Sequence, residues 1–394
     1  MNIALPGDDY LPSVDGAVTS IMSYAKEFRK LGHKVYIIAP KYPNYKDDDP
    51  DVIRTWSIPA PFPPKYRLSL LPWVNYPKVN IKELNLDIIH CQSPFPVGWY
   101  WIRVGRKLGI PVVNTYHTLY PTYINTYINV KFLAKPLSSM TKWFSQYIYN
   151  KCDLVISPSP QMKDALIEYG VKKPIEVMPT GIDLDKFKNF NGDDFRRKYN
   201  IGKDEKMLLV MCRLGREKNV NFIIEALPLI LKEIPNTRLV ISGEGVAKPE
   251  LIDLAKKLGV YNKIVFLGFL NHQDWVNAYA AEDLFVFASL TETQGLVLLE
   301  AMSFYKPVVA VGEMGVVDVM EGFEKQRGGF LTKNDINDFA EKVIKLLKDK
   351  NLYEAKAKDA RERALEMSSE NMAKKMISIY ERLIKESKES KKSK

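Results

Sequence analysis

The chain has 394 residues, of which 46% are hydrophobic and 26% are charged. This composition is typical of a globular protein with room for two domains. The sequence has no uninterrupted apolar run long enough to cross a bilayer, and its first residues lack the basic start and long apolar core of a signal peptide, so we expect neither a membrane-spanning nor a secreted protein. Cys91, Cys152 and Cys212 are far apart, and each adjoins an apolar run. We therefore expect reduced core residues of a cytosolic protein, without a disulfide or a metal site.

The formal net charge of +10 is concentrated in one part of the chain. Residues 54–151 contain twelve Lys or Arg, two acidic residues and five of the six tryptophans, so the rest of the chain sums to zero charge. Basic and aromatic residues together favour an anionic membrane surface or nucleic acid. Since no RNA-recognition, helix-turn-helix or zinc-finger pattern accompanies the charge, we expect no nucleic acid. A solvated basic face over an aromatic core is the other alternative.

Apolar periodicity predicts a strand over 2–6, an amphipathic helix from Gly16 to Leu31 and a second strand over 34–39. The loop over 7–16 is placed to hold a phosphate, but it lacks the Gly-x-Gly-x-x-Gly pattern of dinucleotide sites. Gly16 at the helix start would let the backbone approach a ligand closely. The acidic run at 47–51 is expected to be a solvated loop and not a metal site.

Apolar runs at 86–90, 111–114 and 153–157 alternate with helical segments at 97–108, 137–150 and 160–169. This alternation predicts βαβ units on a parallel sheet, whose ligands bind at the carboxyl ends of the strands. His117 follows one of these ends directly. A lone histidine is more often structural than catalytic, so the position alone leaves its role open.

Two stripes with helical spacing come next: tyrosines from 116 to 127, and apolar residues from 137 to 148 with lysines between them. Core packing would explain either stripe, but aromatics with lysines also suit a helix in a headgroup layer. We predict that the membrane or the acceptor contacts Tyr116, Tyr120, Tyr123, Lys131, Lys135, Lys142 and Trp143.

The second half begins with a polar stretch over 185–205 that lacks periodicity and is typical of a linker. A strand over 206–212 and a helix over 219–233 then start a second alternating series. Arg213 and Lys218 follow the strand end, where each could reach a phosphate. Residues 354–388 are predicted to be helical, and the basic tail over 385–394 is expected to be disordered.

The stretch from Ser289 to Met302 follows an apolar strand over 283–288 and continues as a helix from about Gly295. The start of such a helix offers unpaired N–H groups to an anion. Glu292 lies before it, and Glu300 lies roughly 7 Å of helical rise beyond Gly295. Amides for a diphosphate with a carboxylate on each side suit a nucleotide sugar. Alternatively, Ser289 and Glu292 form a capping box, which would make Glu292 structural.

Three motifs together resemble a known family. Glu292 and Glu300 match the E-x7-E signature of retaining glycosyltransferases of family four, which have the GT-B architecture. The segments Gly16-Ala-Val-Thr-Ser20 and Thr115-Tyr-His-Thr-Leu-Tyr120 resemble the bacterial diacylglycerol glucosyltransferases more narrowly. The resemblance implies two Rossmann-like α/β domains with parallel sheets facing across a cleft. It places an acceptor domain at 1–185, a nucleotide-sugar domain at 186–367, and a helix with a basic tail at 368–394 that crosses back to the first domain.

The resemblance also implies roles for individual residues. In the family, an arginine and a lysine at the positions of Arg213 and Lys218 neutralise the leaving diphosphate. By the same resemblance, Glu292 would bind sugar hydroxyls and His117 would contact the transferred sugar. The implied catalytic residues are His117, Arg213, Lys218 and Glu292. The implied donor-binding residues are Gly16, Arg213, Lys218, Leu270, Glu292, Gly295, Leu296 and Glu300.

We therefore expect a retaining, metal-independent hexosyltransferase without a cofactor. Its expected donor is UDP-glucose, and its expected acceptor is a membrane lipid such as 1,2-diacylglycerol. The protein would be cytoplasmic and peripheral on the inner face of the cell membrane, bound to an anionic surface. One alternative is a transferase for a soluble or polysaccharide acceptor. Another is a GT-B protein that transfers no sugar, such as a sugar-nucleotide epimerase or a binding module.

Overall fold

The structure is a computed structural model that describes residues 1–13, 15–60, 67–69, 80–117, 131–292 and 294–392, with the backbone alone for 131–138 and 392. It divides into two compact units. The first unit comprises Met1–Gly181 and Ser369–Lys394, and the second unit comprises Ile182–Ser368.

Strands and helices alternate along both units. The strands are β1 (Asn2–Pro6), β2 (Lys34–Pro40), β3 (Val52–Thr55), β4 (Ser57–Pro59), β5 (Arg67–Ser69), β6 (Ile88–Cys91), β7 (Val112–Thr115), β8 (Leu154–Ser157), β9 (Ile175–Val177), β10 (Lys206–Met211), β11 (Thr237–Ser242), β12 (Ile264–Gly268), β13 (Leu284–Phe287), β14 (Val308–Val311) and β15 (Gly329–Thr332). The helices are α1 (Gly16–Lys30), α2 (Pro96–Leu108), α3 (Lys131–Tyr149), α4 (Pro160–Glu168), α5 (Gly192–Lys198), α6 (Val220–Glu233), α7 (Lys248–Lys257), α8 (His272–Ala281), α9 (Leu296–Ser303), α10 (Gly315–Val319), α11 (Gly322–Lys325), α12 (Ile336–Lys348), α13 (Lys350–Glu366) and α14 (Ser369–Lys392).

Each unit contains one large parallel sheet. In the first unit the strand order is β3-β2-β1-β6-β7-β8-β9, and in the second unit it is β12-β11-β10-β13-β14-β15. Both orders reverse direction next to the first strand of the unit, between β1 and β6 and between β10 and β13. Ligands of open α/β sheets bind outside the carboxyl ends of the strands at this reversal. The loops that follow these four strands are therefore where a site is expected.

The elements follow from local sequence where the apolar pattern is strong. The central strands β6 and β13 are buried at every position, as expected of parallel strands covered by helices on both faces. Helix α1 begins where the Asp15 carboxylate accepts the Val18 N–H over 2.8 Å, and it ends before Gly32, which adopts a left-handed φ of 83°. The predicted strand over 2–6 and helix from Gly16 are confirmed.

The predicted linker over 185–205 is wrong. This stretch forms a 3-10 turn over Leu184–Phe187 and helix α5, which packs against α8 in the second unit. Phe195 is buried, and the Arg196 guanidinium donates to the Ala281 carbonyl over 2.8 and 2.9 Å and to Asp283 over 2.7 Å. This segment is buried by tertiary contacts, which cannot be predicted from a short, mostly polar sequence.

Two further expectations are corrected. The predicted helix over 354–388 is two helices, α13 and α14, separated at residues 367–368, and α14 continues through the supposedly disordered tail to Lys392. The acidic run at 47–51 is not simply solvated. Asp47 pairs with Arg54 over 2.6 Å, and Asp49 pairs with Arg29 over 2.6 Å, so these carboxylates hold the loop against the first unit.

Candidate active site

Charged side chains gather at the sheet reversal of the second unit. Arg213 and Lys218 follow β10, and Glu292 follows β13. The Leu290 N–H donates to the Glu217 carbonyl over 3.2 Å, which joins the two strand-end loops. Residues that are far apart in the chain therefore meet at the position where an open α/β sheet binds its ligand.

Glu292 faces Lys218 and does not cap the helix. The Lys218 Nζ lies 2.9 Å from Glu292 Oε2, and the two side chains are 17% and 21% exposed. Helix α9 begins at Leu296 after Gly295, without a side-chain cap. The capping-box alternative is therefore wrong, because the side chain of Glu292 pairs with a cation from another loop.

The loop that carries Arg213 is held by two glycines. A Cβ atom on Gly243 would lie 1.8 Å from the Cys212 carbonyl oxygen, and one on Gly245 would lie 2.3 Å from the Leu214 carbonyl oxygen. Only glycine allows this approach of the β11 turn to the β10 loop. Arg213 itself is 60% exposed and pairs with Glu217 four residues later. Its guanidinium is thus accessible to an anion.

Gly295 sets the start of helix α9. It has a left-handed φ of 62°, and an added Cβ would contact Val319 and the Gly315 carbonyl. The Gly315 N–H in turn donates to the Glu292 carbonyl over 2.8 Å. The first N–H groups of a helix have no acceptor within it, so Leu296 and its neighbours offer an anion-binding helix start beside Glu292.

Glu300 is held by Tyr279, which lies on α8. The Tyr279 hydroxyl donates to Glu300 Oε2 over 2.6 Å. Burial raises the pKa of Glu300 to about 7, while the hydrogen bond from Tyr279 lowers it. A carboxyl group with a pKa near 7 is ionised above neutral pH and protonated below it, so its ability to accept hydrogen bonds from hydroxyls changes around pH 7.

Cys212 directly follows β10 and precedes Arg213. Burial raises the pKa of the Cys212 thiol to about 12, and the charges that act on it are those of Lys218, Glu292, Glu217 and Arg213. The Cys212 thiol therefore stays neutral at pH 7 and supplies no nucleophile.

Leu270, one of the donor-binding residues implied by the resemblance, follows β12 in the same unit. It is half-buried, whereas its neighbour Phe269 is 79% exposed. The Gly243 N–H donates to the Gly268 carbonyl over 2.8 Å, so the ends of β11 and β12 are joined next to Leu270. The structure thus places Leu270 on the strand-end side that also carries Arg213.

In the first unit, Gly16 is the first residue of α1. Among the described residues no atom lies within 4 Å of a Cβ added to it, so the backbone is open to approach. The preceding loop is anchored by Asp8, whose carboxylate accepts the Val97 and Gly98 N–H groups over 2.8 and 3.3 Å at the start of α2. Burial raises the pKa of Asp8. This carboxylate joins the loop after β1 to the loop after β6.

His117 is partly buried after β7 and bonds to Gln92, which follows β6. Its Nε2 lies 2.9 Å from Gln92 Oε1, and the Ser20 hydroxyl donates to the same oxygen over 3.4 Å. Because an amide oxygen only accepts, the ring carries its proton on Nε2 and keeps Nδ1 as an acceptor. Burial lowers the pKa of His117 to about 4, so the ring is neutral at pH 7.

Comparison with known families covers both units. Residues 14–186 match the family Glycosyltransferase Family 4, and residues 191–363 match Glycosyl transferases group 1. The chain belongs to these glycosyltransferases.

Two relatives carry the same name, alpha-monoglucosyldiacylglycerol synthase. The protein from Streptococcus pneumoniae is 36% identical over 79% of this chain and 71% of its own length, and the one from Acholeplasma laidlawii is 30% identical over 85% and 86%. A solved glycosyltransferase from Rickettsia africae aligns with a TM-score of 0.71 and 22% identity over 97% of this chain and 98% of its own. The predicted GT-B fold with two α/β units and parallel sheets is confirmed.

The predicted membrane contacts of this glycosyltransferase are only partly described. Tyr116 is wrong as a surface residue: it is fully buried, and its ring centroid lies 5.3 Å from that of Tyr149. It directly follows β7, and its N–H donates to the Ile156 carbonyl of β8 over 2.9 Å. Trp143 is 60% exposed, whereas Lys142 pairs with Glu168 over 3.0 Å. Tyr120, Tyr123 and the side chains of Lys131 and Lys135 lie outside the described residues.

Four residues of the site were missed by the sequence analysis: Gln92, Cys212, Glu217 and Tyr279. Each acts as a partner to a predicted residue. Tyr279 belongs to a helix that is buried at most of its positions, and Gln92 is one position past a buried strand. Position after a strand end was the one signal that could have singled out Gln92. Among the described residues of this glycosyltransferase, no helix has the length and apolar content needed to cross a membrane.

Proposed function

We propose that the protein transfers glucose from UDP-glucose to the free hydroxyl of 1,2-diacylglycerol with retention of the anomeric configuration. The observation that carries the proposal is the meeting of Lys218 and Glu292 at the reversal between β10 and β13. A cation for phosphate lies there beside a carboxylate for sugar hydroxyls. The names of the two synthases that are 36% and 30% identical support the choice of sugar and acceptor.

The second unit would hold the donor. The ammonium of Lys218, the guanidinium of Arg213 and the helix start at Leu296 would stabilise the negative charge that develops on the departing diphosphate, which is preorganised electrostatic catalysis. Glu292 would accept bonds from sugar hydroxyls, and Glu300 would accept them from the ribose. Leu270 would contribute backbone contacts to the base.

The first unit would supply Gly16, against which the diphosphate approaches, and His117. With its proton on Nε2, the His117 ring offers Nδ1 as an acceptor to a hydroxyl of the transferred sugar. Because the ring is neutral, it adds no positive charge next to an oxocarbenium-like sugar. This suits a transition state in which the sugar itself carries positive charge.

In the proposed step the bond between the anomeric carbon and the diphosphate oxygen breaks as the bond to the acceptor oxygen forms on the same face. The acceptor hydroxyl passes its proton to the departing phosphate oxygen, so UDP leaves with that proton and the electron pair. No carboxylate serves as a nucleophile, unlike in retaining glycosidases. The proposed reaction uses no metal and no cofactor.

The enzyme would work peripherally on the cytoplasmic face of the membrane, where a water-soluble donor and a lipid acceptor meet. An anionic bilayer surface is the proposed partner of its basic first unit.

The test is transfer from radiolabelled UDP-glucose to diacylglycerol in neutral detergent micelles, with glucose and soluble oligosaccharides as alternative acceptors. We expect a labelled lipid whose anomeric proton, observed by NMR, has the α configuration, and equal turnover with EDTA. Labelled soluble oligosaccharide would favour the soluble-acceptor alternative. Conversion of the nucleotide sugar without any acceptor would favour an epimerase.

A further inference from the structure

A basic groove lies on the first unit, away from the residues assigned above. Its volume is about 630 Å³, and it is lined by helix α2 and by the segment at the end of α3. Its cations are Arg103, Arg106 and Lys107 on α2 and Lys151 just beyond α3. Among the residues that the structure describes, no acidic residue lines it.

The four cations of the groove differ from Arg29 and Lys142, which are basic residues of the same unit. Among the described residues none of the four lies within ion-pair distance of a carboxylate, whereas Arg29 pairs with Asp49 and Lys142 pairs with Glu168. Arg106 and Lys107 lie in the last turn of α2, where positive charge offsets the helix dipole. The dipole of α2 does not explain the position of Lys151, because Lys151 lies just beyond the end of α3. Unpaired like charges that share one groove repel one another until an anion neutralises them.

Aromatic rings support the cations. The guanidinium carbon of Arg103 lies 5.5 Å from the Trp99 ring centroid, and the Lys151 Nζ lies 4.3 Å from the Tyr147 ring centroid. Tyr147 stacks on Trp143 at 5.6 Å, and Trp143 is 60% exposed. An exposed apolar ring beside a cationic groove is the arrangement of a protein surface that meets the headgroup layer of a bilayer.

We propose that this groove binds the phosphate headgroup of an anionic phospholipid within the bilayer. Its volume lies in the range of small-molecule ligand pockets and is large enough for a phospholipid headgroup. Arginine forks are matched to phosphate oxygens, and Trp143 would enter the interface next to the bound headgroup. The proposal deepens the proposed function and rests on it in one respect, since it assumes that the acceptor lies in a membrane.

The groove is distinct from the lysines that the sequence predicted as membrane contacts. Lys142 already has a carboxylate partner, and the groove instead uses the cations of α2 together with Lys151. A bilayer held at the groove would bring its headgroup layer to the unit that is proposed to admit the lipid acceptor.

The test compares two variants with matched charge in the full chain. The groove variant is Arg103→Gln with Lys107→Gln, and the control is Lys41→Gln with Lys82→Gln, which are exposed residues of the same unit outside the groove. Binding is measured by co-sedimentation with vesicles of phosphatidylcholine alone and of phosphatidylcholine with phosphatidylglycerol. Each lost groove charge should weaken binding about fivefold, so the groove variant should bind anionic vesicles about 25-fold more weakly. The control variant should bind like the wild type.

Melting temperatures of both variants establish that the fold is intact. Trp143→Ala, which changes the exposed ring beside the groove and keeps all charges, should also weaken binding to anionic vesicles. Equal loss in the two charge variants would show that net charge alone matters and would overturn the proposal. Wild-type binding that does not depend on phosphatidylglycerol would overturn it as well. Transfer by the wild type in neutral micelles reports separately on the proposed function, because those micelles contain no anionic headgroup.

Discussion

The Lys218 ammonium and the Glu292 carboxylate lie 2.9 Å apart, at the ends of two neighbouring strand-end loops separated by 74 residues in sequence. Each neutralises the other while the side chains are only about one-fifth exposed. Partial burial of either charge alone would cost free energy, so the pair keeps both in place before a ligand arrives. A ligand that carries phosphate and hydroxyl groups can then take up both partners at once.

Replacing Lys218 by Ala should lower kcat/KM by a factor of 100 or more, because the lost charge acts mainly on the departing diphosphate, an effect on the order of 3 kcal/mol. Arg213→Ala should have an effect of the same order. Arg216→Ala is the control, since this exposed residue of the same turn pairs with Glu250. Steady-state transfer kinetics measure all three. Near-normal turnover of the Lys218 and Arg213 variants would falsify the proposed donor site.

Glu292→Gln should impair transfer strongly and lower the free energy of unfolding by only about 2 kcal/mol, because the amide oxygen can still accept a hydrogen bond from the partly buried Lys218. The shape is kept while the charged acceptor for sugar hydroxyls is removed. Parallel kinetics and thermal melting of this variant decide the question, with the exposed Glu324→Gln as control. Normal transfer combined with a large fall in melting temperature would mean that Glu292 is structural after all.

The fold was predictable to the extent that apolar runs were long and regular. The strands next to both sheet reversals were read correctly because each is buried on both faces, and the strand-end rule then pointed to Glu292 and Lys218. The stretch over 185–205 was misread because its few apolar residues, among them Phe195, have no helical or strand period. Its place in the second unit is fixed by contacts with α8, which local sequence does not contain.

Substitution of Arg196 tests whether residues 185–205 pack against the second unit. Arg196→Ala should lower the free energy of unfolding by about 2 kcal/mol, because a nearly buried guanidinium donates to the Ala281 carbonyl and to Asp283. Its neighbour Arg197 is 67% exposed and pairs with Asp194, so Arg197→Ala should cost less than about 1 kcal/mol. Urea denaturation compares the two. Equal, small effects would return this segment to the status of a linker.

The hydrogen-bond partners of the predicted site residues were not predicted, for a related reason. His117 bonds to a residue 25 positions away, and Glu300 to one 21 positions away, so neither pair forms a local motif. Strand-end position identifies which residues can face a ligand. It does not identify the side chains that set their protonation, because those depend on how neighbouring elements pack.

Gln92→Glu should raise the pKa of His117 from about 4 towards neutrality, because a carboxylate beside the ring favours the imidazolium. NMR titration of the histidine ring protons measures this shift. At pH 7 the variant should have a lower kcat, with an inflection in its pH profile that the wild type lacks, while the KM for the donor changes little. Gln92→Asn is the conservative control and should keep the low pKa. An unchanged His117 titration in the Glu variant would show that Gln92 does not position this ring.

The pKa of Glu300, raised by burial to about 7, predicts that donor binding depends on pH. If the ionised carboxylate accepts the ribose hydroxyls, affinity for UDP-glucose should rise about tenfold between pH 6 and pH 8, since the ionised fraction grows over that range. Tyr279→Phe removes a hydrogen bond that lowers this pKa, so the whole transition should move to higher pH. The variant should therefore bind more weakly than the wild type at pH 7 and equally well near pH 9.

Tyr353→Phe, which removes a hydroxyl bonded to the Asp283 carbonyl over 2.6 Å in the same unit, is the matched control and should leave the transition in place. Calorimetric titration with UDP-glucose across this range makes the measurement, because its diphosphate does not itself titrate there. Weaker binding of Tyr279→Phe by the same factor at every pH would assign Tyr279 to packing alone and remove Glu300 from the ribose contact.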